Sequence, residues 1–394
     1  MALASTLLST LIARMQRWRT ILPEEEQYLV YDLDEAIRGI ARKYNFPWLL
    51  KKSTIRVFKD VLEYPMAADH NVLAIIEGQE DNYDSKPHPY YTSIKQFYDD
   101  PNNDSQIAEI WDSGSKYLGI RNKKINTSST RLDTGEVDSG YTLAGDAVSK
   151  TLDTVVFKNG NGSMRILITN STNTATISRT FTATGDSNYK RKYYFRWIYL
   201  AAVPTSITLR FGTDSSNYLY TACTTQFSGQ PFKAGDWNLI GIDLDTATVS
   251  GTINSNSFTY EAIVLAGAAS GNYYLDDSSL KAWKLMDYWY YSDYIVVASG
   301  GTAATKKYFL STAMSYDTSD SLLGQEEFAD VVMYEAMITS IVDRENSKIF
   351  PVLDRKRQEA LNSLQEAYPD MQPLIMEYRY RYASQEGLYQ NEVR

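Results

Sequence analysis

The sequence predicts an α+β multidomain chain: an antiparallel helical bundle from the N- and C-terminal segments, a small β-sheet, and an inserted all-β sandwich. Three observations lead there. Apolar residues recur at helical spacing near both ends of the 394 residues. Between about 138 and 286 that period disappears, and Gly, Ser, Thr and Asn become dense. Short β-rich runs recur through the same stretch, separated by turn signals, as in a sandwich or barrel.

The elements follow in order. Leu7, Leu11, Met15 and Trp18 share one face of a first helix, with Arg14, Arg17 and Arg19 towards its C-terminal end. Pro23 and the acids Glu24, Glu25 and Glu26 open a second helix, where the helix dipole favours negative charge. Leu29, Leu33, Ala36, Ile37 and Ile40 line its face, and it ends near Tyr44, before the Phe46-Pro47-Trp48 break. Thr54–Phe58 and Val72–Ile76 read as strands, with Pro65 and Asp69-His70-Asn71 between them. Residues 78–130 look polar and broken, anchored by Trp111 and Tyr117.

The inserted sandwich, residues 138–286, holds runs such as MRILIT (164–169), YYFRWIYLA (193–201), SITLRFG (206–212) and WNLIGIDL (237–244). KNGNG, TGDSN and TDSSN are among the turns that separate them. A strand-like stretch at 288–310 follows, then helices at 325–348 and 352–367, the last ended by Pro369. In the tail, Tyr378, Tyr380 and Tyr382 alternate with Arg379 and Arg381, a period of two that reads as extended chain. Four helices too short to stand alone are expected to pack together. The domains are then 1–137 and 287–368 as the two parts of one unit, 138–286 as the insertion and 369–394 as the tail.

Composition narrows the function classes. The formal net charge of -9 is spread along the chain, and KRK at 190–192 is its densest basic spot, so nothing grips DNA through its phosphates. One cysteine and two histidines cannot build a disulfide framework or a Cys/His zinc site. The opening MALASTLLSTLIARMQRW lacks a basic start and reads as a poor secretion signal, and no apolar run is long enough to span a membrane. Tyrosine, with 31 residues against 13 Phe and 7 Trp, favours a binding or assembly surface.

The chain carries no P-loop and no G-x-S-x-G elbow, and His70 and His88 lie in no triad-like setting. A glycosidase needs two converging carboxylates. Asp276 and Asp277 are adjacent in a strand, which sends their side chains to opposite faces, so we expect no enzyme there. One loop-facing acid and one solvated acid is the simplest reading; a structural calcium at Asp276 or Asp277 is the alternative, and no other cofactor is expected. Trp197, Tyr218 and Tyr220 are the candidates for contact with a sugar ring, although their spacing equally suits a core face.

Two resemblances add to these readings. KNGNGSMRI, ITLRFGTDSSNYLY, GDWNLIGIDL and YYLDDSSL resemble strands of a jelly-roll carbohydrate-binding or concanavalin-like module. That implies a fold more than a function. The flanking parts resemble the head–tail adaptor (connector) proteins of tailed bacteriophages, through WLLKKSTIRVFKDVLEYPMAADHNVLAIIE with Tyr64, Pro65 and Asp69, and through the two helices of 325–368. The adaptor resemblance implies a virion protein at the head–tail interface: a homo-oligomeric ring, twelve subunits in the family, under the portal protein. DNA would pass through the lumen without sequence-specific contact, and tail or further connector proteins would dock below. Tyr378, Arg379, Tyr380, Arg381 and Tyr382 would then form a strand docking onto the portal or a neighbouring subunit. The alternative is a collar or fibre protein that holds host-surface glycan.

Overall fold

The computed structural model describes residues 5–18, 26–44, 46–78, 90–91, 105–112, 115–122, 127–137, 140–169, 173–301, 304–307, 320–324, 326–342 and 349–368. The tail residues Tyr378–Tyr382, and His88, lie outside the described residues. Two compact units emerge. One lies within residues 1–53, 67–76 and 288–394, the other within 54–66 and 77–287. The second unit closes at Asp287, next to the expected end of the insertion, but it also takes in 54–66 and 77–137.

In the first unit, helices Leu8–Trp18, Glu26–Lys43, Glu326–Val342 and Phe350–Ala367 share one apolar core. Leu11, Met15, Leu33, Ile37, Val332 and Leu353 sit at its centre, each almost fully buried. Ile295, Val296, Leu322 and Leu323 enter the same core from a sheet ordered Ser5–Leu7, Ser321–Leu323, Tyr294–Val297, Ala304–Lys307. The core is therefore shared between the four helices and this small sheet. The Phe46-Pro47-Trp48 break becomes a 3-10 turn, Pro47–Leu49. Its aromatic rings close the core: Phe46 stacks on Trp48 at 4.8 Å, Phe328 meets both edge-on, and Tyr368 meets Trp48 at 5.1 Å. Among the described residues no helix is long and apolar enough to cross a membrane.

Asp69 is a hub of this unit. Its carboxylate accepts hydrogen bonds from Lys51, from the Tyr290 hydroxyl at 2.7 Å and from Ser292 Oγ at 2.7 Å. Burial alone would raise its pKa, but Lys51, Ser292 and Tyr290 together hold it below the usual carboxylate range. His70 lies buried against the ring of Tyr290, 5.1 Å away. These contacts make Asp69 a tie between chain segments of this unit.

The second unit contains a two-sheet antiparallel sandwich. The first sheet runs Ala147–Asp153, Ser163–Ile168, Gly271–Ala282, Lys192–Tyr199, Trp237–Asp243, and Ser129–Asp133 also pairs with Gly271–Ala282. The second runs Thr248–Ser250, Tyr218–Cys223, Ser206–Gly212, Phe258–Ala266, Thr174–Thr184, Tyr141–Gly145. Alternation sets the inner faces. Ile166, Tyr194, Ile198, Ile240 and Leu275 from the first sheet meet Ile177, Leu209, Phe211, Leu219 and Ile263 from the second. Residues 105–122, expected to be broken, form a hairpin of Ser105–Asp112 and Ser115–Asn122, with Tyr117 buried.

Candidate functional site

Each outward residue of Lys192–Tyr199 alternates with a core residue, so Tyr193, Phe195, Trp197 and Tyr199 all stand on the outer face of the first sheet. The segment 58–64 covers one end of that row. Phe58 packs edge-on against Tyr193 and Phe195 at 4.9 Å, and Phe227 completes the cluster. Tyr64 is buried and fixes the turn: its hydroxyl accepts from the Phe58 N–H at 2.9 Å and donates to the Val61 carbonyl at 2.9 Å. Lys281 Nζ donates to the Lys59 carbonyl at 2.9 Å and ties the same turn to the sheet.

The result is a cleft of about 590 Å³. Trp197, Leu239 and Ser279 lie on its sheet side, Lys59 and Glu63 on the 58–64 side, and Lys158 with Asn159 at a third edge. Trp197 is half-buried and lines this cleft. Two residues further along the same strand, Tyr199 packs between Trp237 at 5.8 Å and Tyr274 at 5.3 Å. Tyr199 is directly opposite both in the register, so the aromatic surface continues across three strands.

Asp276 and Asp277 correct the expectation of opposite faces. The register slips between Arg196 and Trp197, so Trp197 pairs with Asp276 and Arg196 with Ser278. Asp277 is the extra residue of this β-bulge, with φ of 32°. Both carboxylates therefore gather on the loop at 158–159. Asp276 accepts from the backbone N–H groups of Lys158 at 2.7 Å, Asn159 at 2.8 Å and Asp277 at 2.7 Å. Asp277 accepts from Arg131 Nε at 2.6 Å and from Asn159 Nδ2 at 3.1 Å. Burial pushes the Asp276 pKa up, against the pull of those N–H donors. Gly135 closes over the bulge at φ of 72°, and a Cβ there would meet the Leu275 carbonyl at 2.9 Å.

All the carboxylate oxygens of the pair accept N–H donors, whereas a calcium ion needs oxygen ligands around it. Among the described residues no group of three or more His, Cys, Asp or Glu is placed to hold a metal.

Beneath the cleft, inside the sandwich, lies a cluster of charge that the sequence did not suggest. Arg196, 1% exposed, donates to Asp133 at 2.6 Å and to Glu261 at 2.6 Å. Arg179 reaches Glu261 at 3.2 Å and Asp133 at 3.6 Å. Tyr141 donates to Asp133, and Tyr194 and Ser278 donate to Glu261 at 3.0 and 2.9 Å. Two guanidinium groups thus balance two carboxylates across both sheets. The Nε atoms of Arg179 and Arg196 are buried without an acceptor.

The remaining sugar candidates are elsewhere. Tyr218 and Tyr220 belong to the second sheet, on its outer face, with rings 5.8 Å apart and Arg210 over Tyr218 at 4.8 Å. The structure does not bring them to Trp197. Lys158, Asn159, Arg131, Tyr199 and Tyr274 were not singled out from sequence. The strand alternation could have placed Tyr199 beside Trp197; no sequence signal links Lys158 to either.

Fold and site together define a two-sheet antiparallel β-sandwich with an aromatic, polar-edged cleft on one outer face. Part of the chain is similar in structure to carbohydrate-binding modules. One is the family 11 module from Clostridium thermocellum in complex with a β-1,3-1,4-mixed-linked tetrasaccharide (15% identity, 39% of this chain, 94% of that chain, TM-score 0.30). Another is a family 30 module (15%, 39% of this chain, 99% of that chain, TM-score 0.31). A third is the C-terminal family 22 module of Clostridium thermocellum Xyn10B (14%, 39%, 91%, TM-score 0.26). No protein-family model and no curated protein matches the chain.

Proposed function

We propose that the sandwich unit binds carbohydrate in the cleft at Trp197. The observation that carries this reading is a half-buried Trp197 lining the cleft among hydrogen-bonding groups of Asp277, Arg131 and Asn159. A pyranose ring has an apolar C–H face and a polar edge, and this surface offers a counterpart to each. The Tyr199, Trp237 and Tyr274 rings extend the surface, which favours a chain of several sugar units over a single one. The role is binding without turnover: Asp276 is fully buried and Asp277 is paired with Arg131. The test is a saccharide screen on the full chain by affinity electrophoresis. Retardation by at least one polysaccharide is expected, and its loss in Trp197→Ala; no retardation by any would sink the reading.

A second reading places the same chain in a phage virion as a head–tail adaptor, with the sandwich as a decoration domain. What supports it is that segments from both ends of the sequence share one core, through Leu11, Ile37, Val332 and Leu353. The 369–394 tail would dock on a portal. Electron microscopy of the purified chain tests it: closed rings are expected, and a monomer at micromolar concentration counts against it.

A further inference from the structure

The cleft's own charges indicate the class of saccharide, and this step rests on the carbohydrate reading above. Lys158 Nζ sits 4.5 Å from the centre of the Trp197 ring. A cation in that position is attracted by the ring's electron-rich face. The lysine is not free to swing its backbone away. Its N–H and that of Asn159 are both held by the buried Asp276 carboxylate, at 2.7 and 2.8 Å. Charge-assisted bonds of this kind fix the loop more firmly than neutral ones.

The neighbouring charges are otherwise engaged. Arg131 is paired with Asp277 at 2.6 Å, and the Lys281 ammonium donates to the Lys59 carbonyl. Among the described residues no carboxylate is paired with the Lys158 ammonium, in a chain whose formal net charge is -9. Lys59 brings a further positive charge to the cleft wall, and Asp60 and Glu63 bring negative ones.

A neutral sugar stacking on this face of Trp197 must displace the lysine and gains nothing from its charge. A sugar bearing a carboxylate can stack beside it and accept a charge-assisted hydrogen bond. We propose that the cleft selects an acidic saccharide, with Lys158 as the residue that sets the preference for a uronic acid over its neutral counterpart.

The experiment is calorimetric titration of the full chain with two oligosaccharides of equal length and linkage, tri-galacturonate and its neutral counterpart, tri-galactose. The wild-type chain is expected to bind the acidic one at least about tenfold more tightly, which is the scale of one well-made charged contact. Lys158→Gln, on an exposed loop, is expected to bring the two affinities within about twofold, and added salt to weaken only the acidic ligand. Equal or tighter binding of the neutral sugar overturns the acidic preference and leaves the carbohydrate reading standing. An acidic preference that survives Lys158→Gln overturns the role of Lys158. Binding of neither sugar, or of any other in the screen above, overturns both.

Discussion

The two faces of the first sheet handle charge in opposite ways. On the inner face, Arg196 and Arg179 are surrounded by Asp133, Glu261 and tyrosine and serine hydroxyls. On the outer face, one residue along the same strand, Trp197 carries Lys158, whose ammonium has no carboxylate paired with it among the described residues. A buried charge must be matched by its neighbours, because desolvation is costly. An exposed cation can remain unmatched, because water serves until a ligand arrives. The inner cluster is therefore read as structural and the outer cleft as functional, although adjacent residues build them.

The strongest way to break that contrast is Arg196→Met. It leaves Asp133 and Glu261 buried with Arg179 as their only guanidinium partner, and should cost about 3–5 kcal/mol in urea unfolding. A cost under about 1 kcal/mol would show that the cluster does not hold the sandwich together. Next is pH. Burial alone would raise the Asp133 pKa, but Arg196 and Arg179 hold it below the usual carboxylate range. A carboxyl depressed on folding stabilises above its unfolded pKa of about 3.9, and the contribution is lost as pH falls through the lower folded value. The unfolding free energy should thus decline below about pH 4, and Asp133→Asn should flatten that decline relative to wild type.

On the outer face the effects on stability are small and those on binding larger. Trp197→Ala should weaken saccharide binding by about tenfold while the thermal midpoint moves by only a few degrees. Tyr218→Ala and Tyr220→Ala lie on the other sheet and should change saccharide affinity by less than about twofold. A large loss from either would move the binding surface to the second sheet.

Much of the fold was legible because alternation survives burial. In SITLRFG, Ile207, Leu209 and Phe211 all face the core, as a period of two requires. The hairpin at 105–122 was hidden by charges within SQIAEIWD and SKYLGIRN, such as Glu109 and Lys116, which pair with each other at 3.4 Å. The ion cluster needed pairings the sequence does not display: Arg196 is 63 residues from Asp133 and 65 from Glu261. The alternation in YYFRWIY puts Arg196 on one face with the buried Tyr194 and Ile198, and a buried arginine demands acids, but nothing in that run says which. At Asp276 and Asp277 the alternation argument failed, because a single bulged residue turns both acids to one side.

The central claim, that the outer cleft at Trp197 holds saccharide, is tested most directly by calorimetric titration of wild type and Trp197→Ala with whichever polysaccharide fragment retards the chain. The account predicts measurable binding by wild type, about tenfold weaker binding by the variant and an unchanged fold by circular dichroism. Equal affinity of the two proteins would contradict it.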